Sequence, residues 1–89
     1  MDSLAVLVEF FGTFLLLISI FATGNAFVIG GTLALLILLI GGVSGGHVNP
    51  AVSFAMWIKG AITTAELVSY VLAQYAGGAA AYYTYNALA

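Results

Sequence analysis

Ser44-Gly45-Gly46-His47-Val48-Asn49-Pro50-Ala51-Val52-Ser53 lies at the centre of an 89-residue chain that is otherwise almost wholly apolar. Its second half reads as the start of a helix. Pro50 suits the first helical position, where its missing N–H is not needed. Asn49 then falls at the N-cap, where its side-chain oxygen accepts from the free amides of the first turn. The helix that follows, residues 51–58, spans only about two turns, too few to cross a bilayer. Lys59-Gly60 closes it with a basic residue and a glycine, a favourable helix ending. Before Asn49, Gly45 and Gly46 permit positive φ and close approach, and no helical pattern is present.

Outside this stretch the composition sets the class. Hydrophobic residues make up 64% of the chain and charged residues 4%, and the mean hydropathy is +1.22. A soluble domain carries about a quarter of its residues as charge. Asp2, Glu9, Lys59 and Glu66 are the whole charged inventory here, so lipid has to be the solvent. A formal net charge of -2 offers no handle for nucleic acid, and that class of partner is excluded. With no cysteine and a single histidine, neither thiolate chemistry nor a metal site is expected, and no cofactor is implied.

Residues 4–23 form an apolar run of the roughly 20 residues a spanning helix needs, ending at the turn pair Gly24-Asn25. A cleaved signal peptide is the rival reading. It wants a basic start and an uninterrupted core, whereas Asp2 and Glu9 stand here. Residues 27–43 are rich in leucine and isoleucine and read as a second span. Thr63 is an N-cap candidate with Glu66 in the first turn that follows, and residues 65–88 read as a third. The expected fold is an all-α membrane protein with three transmembrane helices and one re-entrant half-helix, forming a single domain over residues 1–89.

Irregular backbone exposed to lipid costs several kcal/mol per unsatisfied group. Residues 44–49 therefore lie either outside the bilayer or within it, lining a wet cavity. The local chemistry favours the second. An Asn49 amide held by the N-cap bond aims its NH₂ donors along the helix axis, and the positive end of the helix dipole points the same way. Such a site is electropositive yet neutral. It suits the oxygen of water or an alcohol and repels cations.

The ten residues from Ser44 to Ser53 resemble the signature of the major intrinsic protein family, the aquaporins and glycerol facilitators, whose pattern reads S-G-x-H-x-N-P-A-V-[ST]. Glu9-Phe10-Phe11-Gly12-Thr13-Phe14 resembles the family's first-helix motif, and Ala73-Gln74 followed by Gly77-Gly78-Ala79 its third-helix motif. The resemblance covers essentially the whole chain and implies a passive channel rather than an enzyme, in a multi-pass protein of the cell or inner membrane. It assigns the carbonyls of Gly45, Gly46, His47 and Val48, with Asn49, Pro50 and Ala51, to the lining of the pore. Glu9 becomes an acceptor for the loop's amides, with Gln74 acting alongside it, and His47 a brace near the mouth. Ala73, Gly77 and Ala81 stand four apart, a small-residue face for helix packing that Gly12 extends. Tyr82, Tyr83 and Tyr85 read as an interfacial belt.

The family pairs two inverted three-span halves, and this chain corresponds to one. One half leaves its loop facing lipid, so association with an inverted second copy is expected, through a two-fold axis in the membrane plane. The single basic residue, Lys59, imposes little orientation bias and permits dual insertion. A tetramer of such dimers, eight chains, follows from the family's habit. Two departures bear on selectivity. Val52 follows Ala51 where the family's second half places an arginine, and Ile29 stands at the filter position where an aromatic is usual. Water is the expected solute, with small neutral molecules such as glycerol next. The competing readings are a small dual-topology proton-coupled exporter using Glu9, a structural or holin-like bundle, and an accessory half that needs another protein.

Overall fold

In a computed structural model, described here for residues 2–89, the chain forms four helices and, among these residues, no strand. Helix α1 spans Ser3–Thr23, α2 Ala26–Ile40, α3 Pro50–Ile58 and α4 Thr64–Leu88. Each start is capped by a side chain from the residue just before it. Asp2 accepts from the Leu4 amide, Asn25 from Phe27 and Val28, and Asn49 from Ala51. Thr63 and Glu66 form a reciprocal capping box on α4.

Gly24 takes the left-handed conformation at φ 56° and turns α1 into α2 within two residues. A connection that short makes the two helices antiparallel neighbours. The direction of α4 follows from its partners along α1. Glu9 meets Gln74, Phe10 and Phe14 meet Gly77, Leu17 meets Gly78, and Phe21 meets Tyr82 and Tyr85. The positions advance together, so α1 and α4 run parallel and pack along most of their length. A β-carbon at Gly77 would collide with the Phe10 carbonyl oxygen and lie 3.2 Å from the Phe14 amide. Glycine is what lets the two backbones approach this closely. Ala73 and Ala81, one turn to either side, are buried in the same seam.

The second helix is shorter than its hydrophobic run. Residues 27–43 read as a span, but α2 ends at Ile40. Helical hydrogen bonding loosens instead of stopping there. Val43 and Ser44 both donate to the Ile40 carbonyl, and Gly45 donates to Gly41. Gly45 then takes φ 95° and Gly46 φ 63°, which no helix continues. Apolar content carried the expected boundary too far, because the break comes from backbone angles that hydropathy does not encode.

Among the described residues α1 is the one helix both long and apolar enough to cross a membrane by length and composition, and α2 is a shorter apolar helix. At about 1.5 Å per residue, the 25 residues of α4 give ample length, though Thr64, Glu66, Gln74 and its tyrosines dilute its hydropathy. Phe27, Leu38, Leu39, Ile58 and Leu88 stand more than 60% exposed, while Glu9, Ser53 and Gln74 are almost completely buried. A soluble domain reverses that distribution. Apolar side chains face outward and polar ones form the interior.

Candidate functional site

The interior polar cluster is built around Glu9, whose carboxylate has no exposure. Oε1 accepts from the Val48 amide at 2.8 Å and from Gln74 Nε2 at 2.9 Å. Oε2 accepts from the Ser44 hydroxyl at 2.6 Å and the His47 amide at 3.0 Å. Helix α4 and the loop thus converge on one side chain of α1. A buried charge is tolerated when its oxygens are filled by donors in this way.

Glu9 thereby sets the shape of residues 44–49. Val48 is held at φ 44°, a conformation that costs a β-branched residue about 1–3 kcal/mol. Its amide bond to Glu9 holds it there, and so does its buried side chain packing over Gly12. A β-carbon at Gly12 would come within 2.8 Å of that side chain, so glycine makes room for the loop. Gly46 lies against the α2 backbone, where a β-carbon would stand 3.3 Å from the Ile37 α-carbon. Gly46 also donates its amide to the Ser44 hydroxyl at 3.1 Å. With the amides turned inward, the carbonyls of Gly45, Gly46, His47 and Val48 accept no hydrogen bond from the described residues.

Beyond the loop, Asn49 is exposed at the tip of α3, its Oδ1 accepting from the Ala51 amide at 2.8 Å. That bond spends the acceptor and leaves the NH₂ group facing outward from an exposed residue. Pro50 is half-buried, and Ala51 and Gly45 are exposed. His47 is buried, its Nδ1 2.8 Å from Ser53 Oγ. Ile29 lies half-buried on α2, outside the Glu9 cluster and with no hydrogen-bonding role. The structure therefore gathers Glu9, Gln74, Gly12 and residues 44–53 into one assembly with the α4 small-residue seam beside it, and does not bring Ile29 into it.

Tyr70 belongs to the assembly and was not singled out by its sequence. Its hydroxyl donates to the Ser44 carbonyl at 2.8 Å, and its ring meets the His47 ring edge-on at 5.2 Å. It lies one turn before Gln74, on the face that continues through Ala73, Gly77 and Ala81. That spacing was the available signal, masked by the tyrosines nearer the C-terminus that read as a belt. Ser53 stood in the motif without a role. In the structure it is fully buried and takes a hydrogen bond from Gln74 Nε2 at 2.9 Å. Among the described residues, no three metal-ligating side chains cluster.

Beside α3 and α4 runs an apolar groove of about 520 Å³, lined by Pro50, Ala51, Phe54, Val68, Leu72 and Tyr75 among others. It opens next to the Asn49 tip.

Residues 22–88 match the family described as Major intrinsic protein. The chain is 40% identical over 80 residues to Glycerol uptake facilitator protein-like 6 of Lactiplantibacillus plantarum, an alignment covering 80% of this chain and 37% of that protein. It is 38% identical over 55 residues to Probable aquaporin PIP2-6 of Oryza sativa subsp. japonica, covering 62% of this chain and 20% of that one. The chain thus spans well under half the length of these relatives. No solved structure matches it. A matched region of this extent, containing the Asn49-Pro50-Ala51 tip and the loop that Glu9 organises, makes the chain a member of the major intrinsic protein family.

Proposed function

We propose that this chain forms one half of a passive transmembrane channel for water and small neutral solutes such as glycerol. In this reading α1, α2 with its loosened final turn, and α4 cross the membrane, and residues 44–58 form a re-entrant loop and half-helix. The observation that carries the proposal is the polarity of the loop. Its amides at His47 and Val48 are consumed by buried Glu9, while the carbonyls of residues 45–48 are unclaimed among the described residues. A row of acceptors beside an exposed Asn49 donor and the positive end of α3 is a path for a molecule that both donates and accepts hydrogen bonds. The glycerol facilitator and aquaporin names of the relatives support the same solute class.

Such a row cannot face lipid. The pore is completed by a second copy inserted in the opposite orientation, the two Asn49-Pro50-Ala51 tips meeting near the midplane, and such dimers group as tetramers. A proton-coupled exporter would need Glu9 free to exchange protons, and all four of its hydrogen bonds are to donors supplied by the protein. The test is an osmotic step on liposomes containing the purified chain alone, with water and glycerol compared on the same vesicles. Water flux well above that of empty vesicles is expected, without ion conductance. A relaxation rate equal to that of empty vesicles overturns the self-sufficient homodimer.

A further inference from the structure

The Glu9 cluster holds a chain of hydrogen bonds that ends on the only histidine in the sequence. Glu9 accepts two backbone amides, one on each oxygen. These cannot reverse, so both oxygens serve as acceptors. Gln74 Nε2 lies 2.9 Å from Glu9 Oε1 and 2.9 Å from Ser53 Oγ, giving one amide hydrogen to each. The opposite amide orientation needs a protonated Glu9 and buries an NH₂ group without partners. In the orientation seen, the Gln74 carbonyl oxygen is the one atom of the Glu9, Gln74 and Ser53 side chains left unpartnered, and an unfilled carbonyl is the lesser penalty. Ser53 Oγ accepts a hydrogen bond from Gln74 Nε2, and its other partner is His47 Nδ1 at 2.8 Å. A hydroxyl carries one hydrogen. Accepting from both neighbours would leave the hydroxyl's own buried hydrogen without a partner among the described residues, so the Ser53 hydrogen goes to His47 Nδ1.

We infer that Glu9, acting through Gln74 and Ser53, holds His47 in the neutral tautomer with its hydrogen on Nε2. Gln74 and Ser53 are positioning residues. The Nε2 edge lies beside Gly45, where a β-carbon would come within 2.9 Å of it, and Gly45 is exposed. The tautomer thus sets an N–H donor at the start of the row of unclaimed carbonyls. The Tyr70 ring closes one side of the imidazole and resists its rotation. That this donor meets the oxygen of a passing water or alcohol rests on the channel reading above. The tautomer itself does not.

The experiment is nitrogen NMR of the full chain in lipid bilayers near neutral pH, with histidine as the labelled residue, so that both ring signals belong to His47. The expected spectrum has a protonated Nε2 and a bare, hydrogen-bonded Nδ1. In Ser53→Ala the Nδ1 hydrogen bond is lost and both tautomers appear, while Ser53→Thr, which keeps the hydroxyl, restores the single form. A protonated Nδ1 in the unsubstituted chain, alone or as imidazolium, overturns the relay, as does a Ser53→Ala spectrum unchanged at both nitrogens. Should Ser53→Ala fail to fold, the unsubstituted spectrum still decides. Because the assay needs no flux, a chain with the expected tautomer and no water conduction would refute the self-sufficient channel and leave the relay standing.

Discussion

Replacing Glu9 by alanine should release the loop while leaving most of α1 intact. The substitution orphans the amides of His47 and Val48 and removes one partner each from Ser44 and Gln74. A buried donor left unpaired costs about 1–3 kcal/mol, so the two amides alone account for about 2–6 kcal/mol. Removing a buried charge returns part of its desolvation penalty, whereas Val48 loses the bond that helps hold it at φ 44°. A net weakening of about 3 kcal/mol is the working figure, roughly a hundredfold in the equilibrium between closed and open loop at about 1.4 kcal/mol per decade. Hydrogen exchange in bilayers reads that equilibrium directly at the two amides. Protection at His47 and Val48 should fall about a hundredfold, and water flux should fall with it. Glu9→Gln, which keeps one acceptor and turns a donor toward the remaining pair, should lie between. Protection within about threefold of the unsubstituted chain in Glu9→Ala would show that Glu9 does not hold the loop, since threefold is under 1 kcal/mol.

Gly77→Ala places a β-carbon against the Phe10 carbonyl and forces α1 and α4 apart, a cost of about 1–3 kcal/mol. Thermal unfolding in detergent should show a lower midpoint, and an unchanged midpoint would mean that the seam is looser than the structure has it. Asn49→Asp keeps the cap on Ala51 but adds a negative charge at the exposed tip. Electrophysiology and osmotic flux should then show either cation leak or loss of water conduction, and unchanged flux without ion current would remove Asn49 from the solute path.

The starts of α3 and α4 were legible because the signal is local. Asn49 with Pro50, and Thr63 with Glu66, are short-range capping chemistry, and the structure places them at helix starts. Gly24-Asn25 read only as a turn, and the structure adds Asp2 and Asn25 as caps of α1 and α2. Exposed apolar side chains over a polar interior followed from composition, since 4% charge cannot clothe a water-facing surface. Glu9 and Gln74 stood out because polar residues amid apolar runs are costly unless paired.

Other features lay beyond the reach of pattern. The family resemblance implied that Glu9 accepts the loop's amides, but that it accepts from four donors depends on contacts 35 to 65 residues apart in the chain, and nothing in the hydropathy of either segment reports their meeting. The end of α2 at Ile40, the left-handed Val48, and the roles of Tyr70 and Ser53 have the same origin. Each is decided where α1, the loop and α4 are already packed, by backbone angles and by which way a hydroxyl or an amide turns. Capping and burial act within a turn or along one face of a helix, and sequence alone determined them. The direction of hydrogen bonds in a closed polar cluster is a property of the whole cluster, and only the tertiary structure decided it.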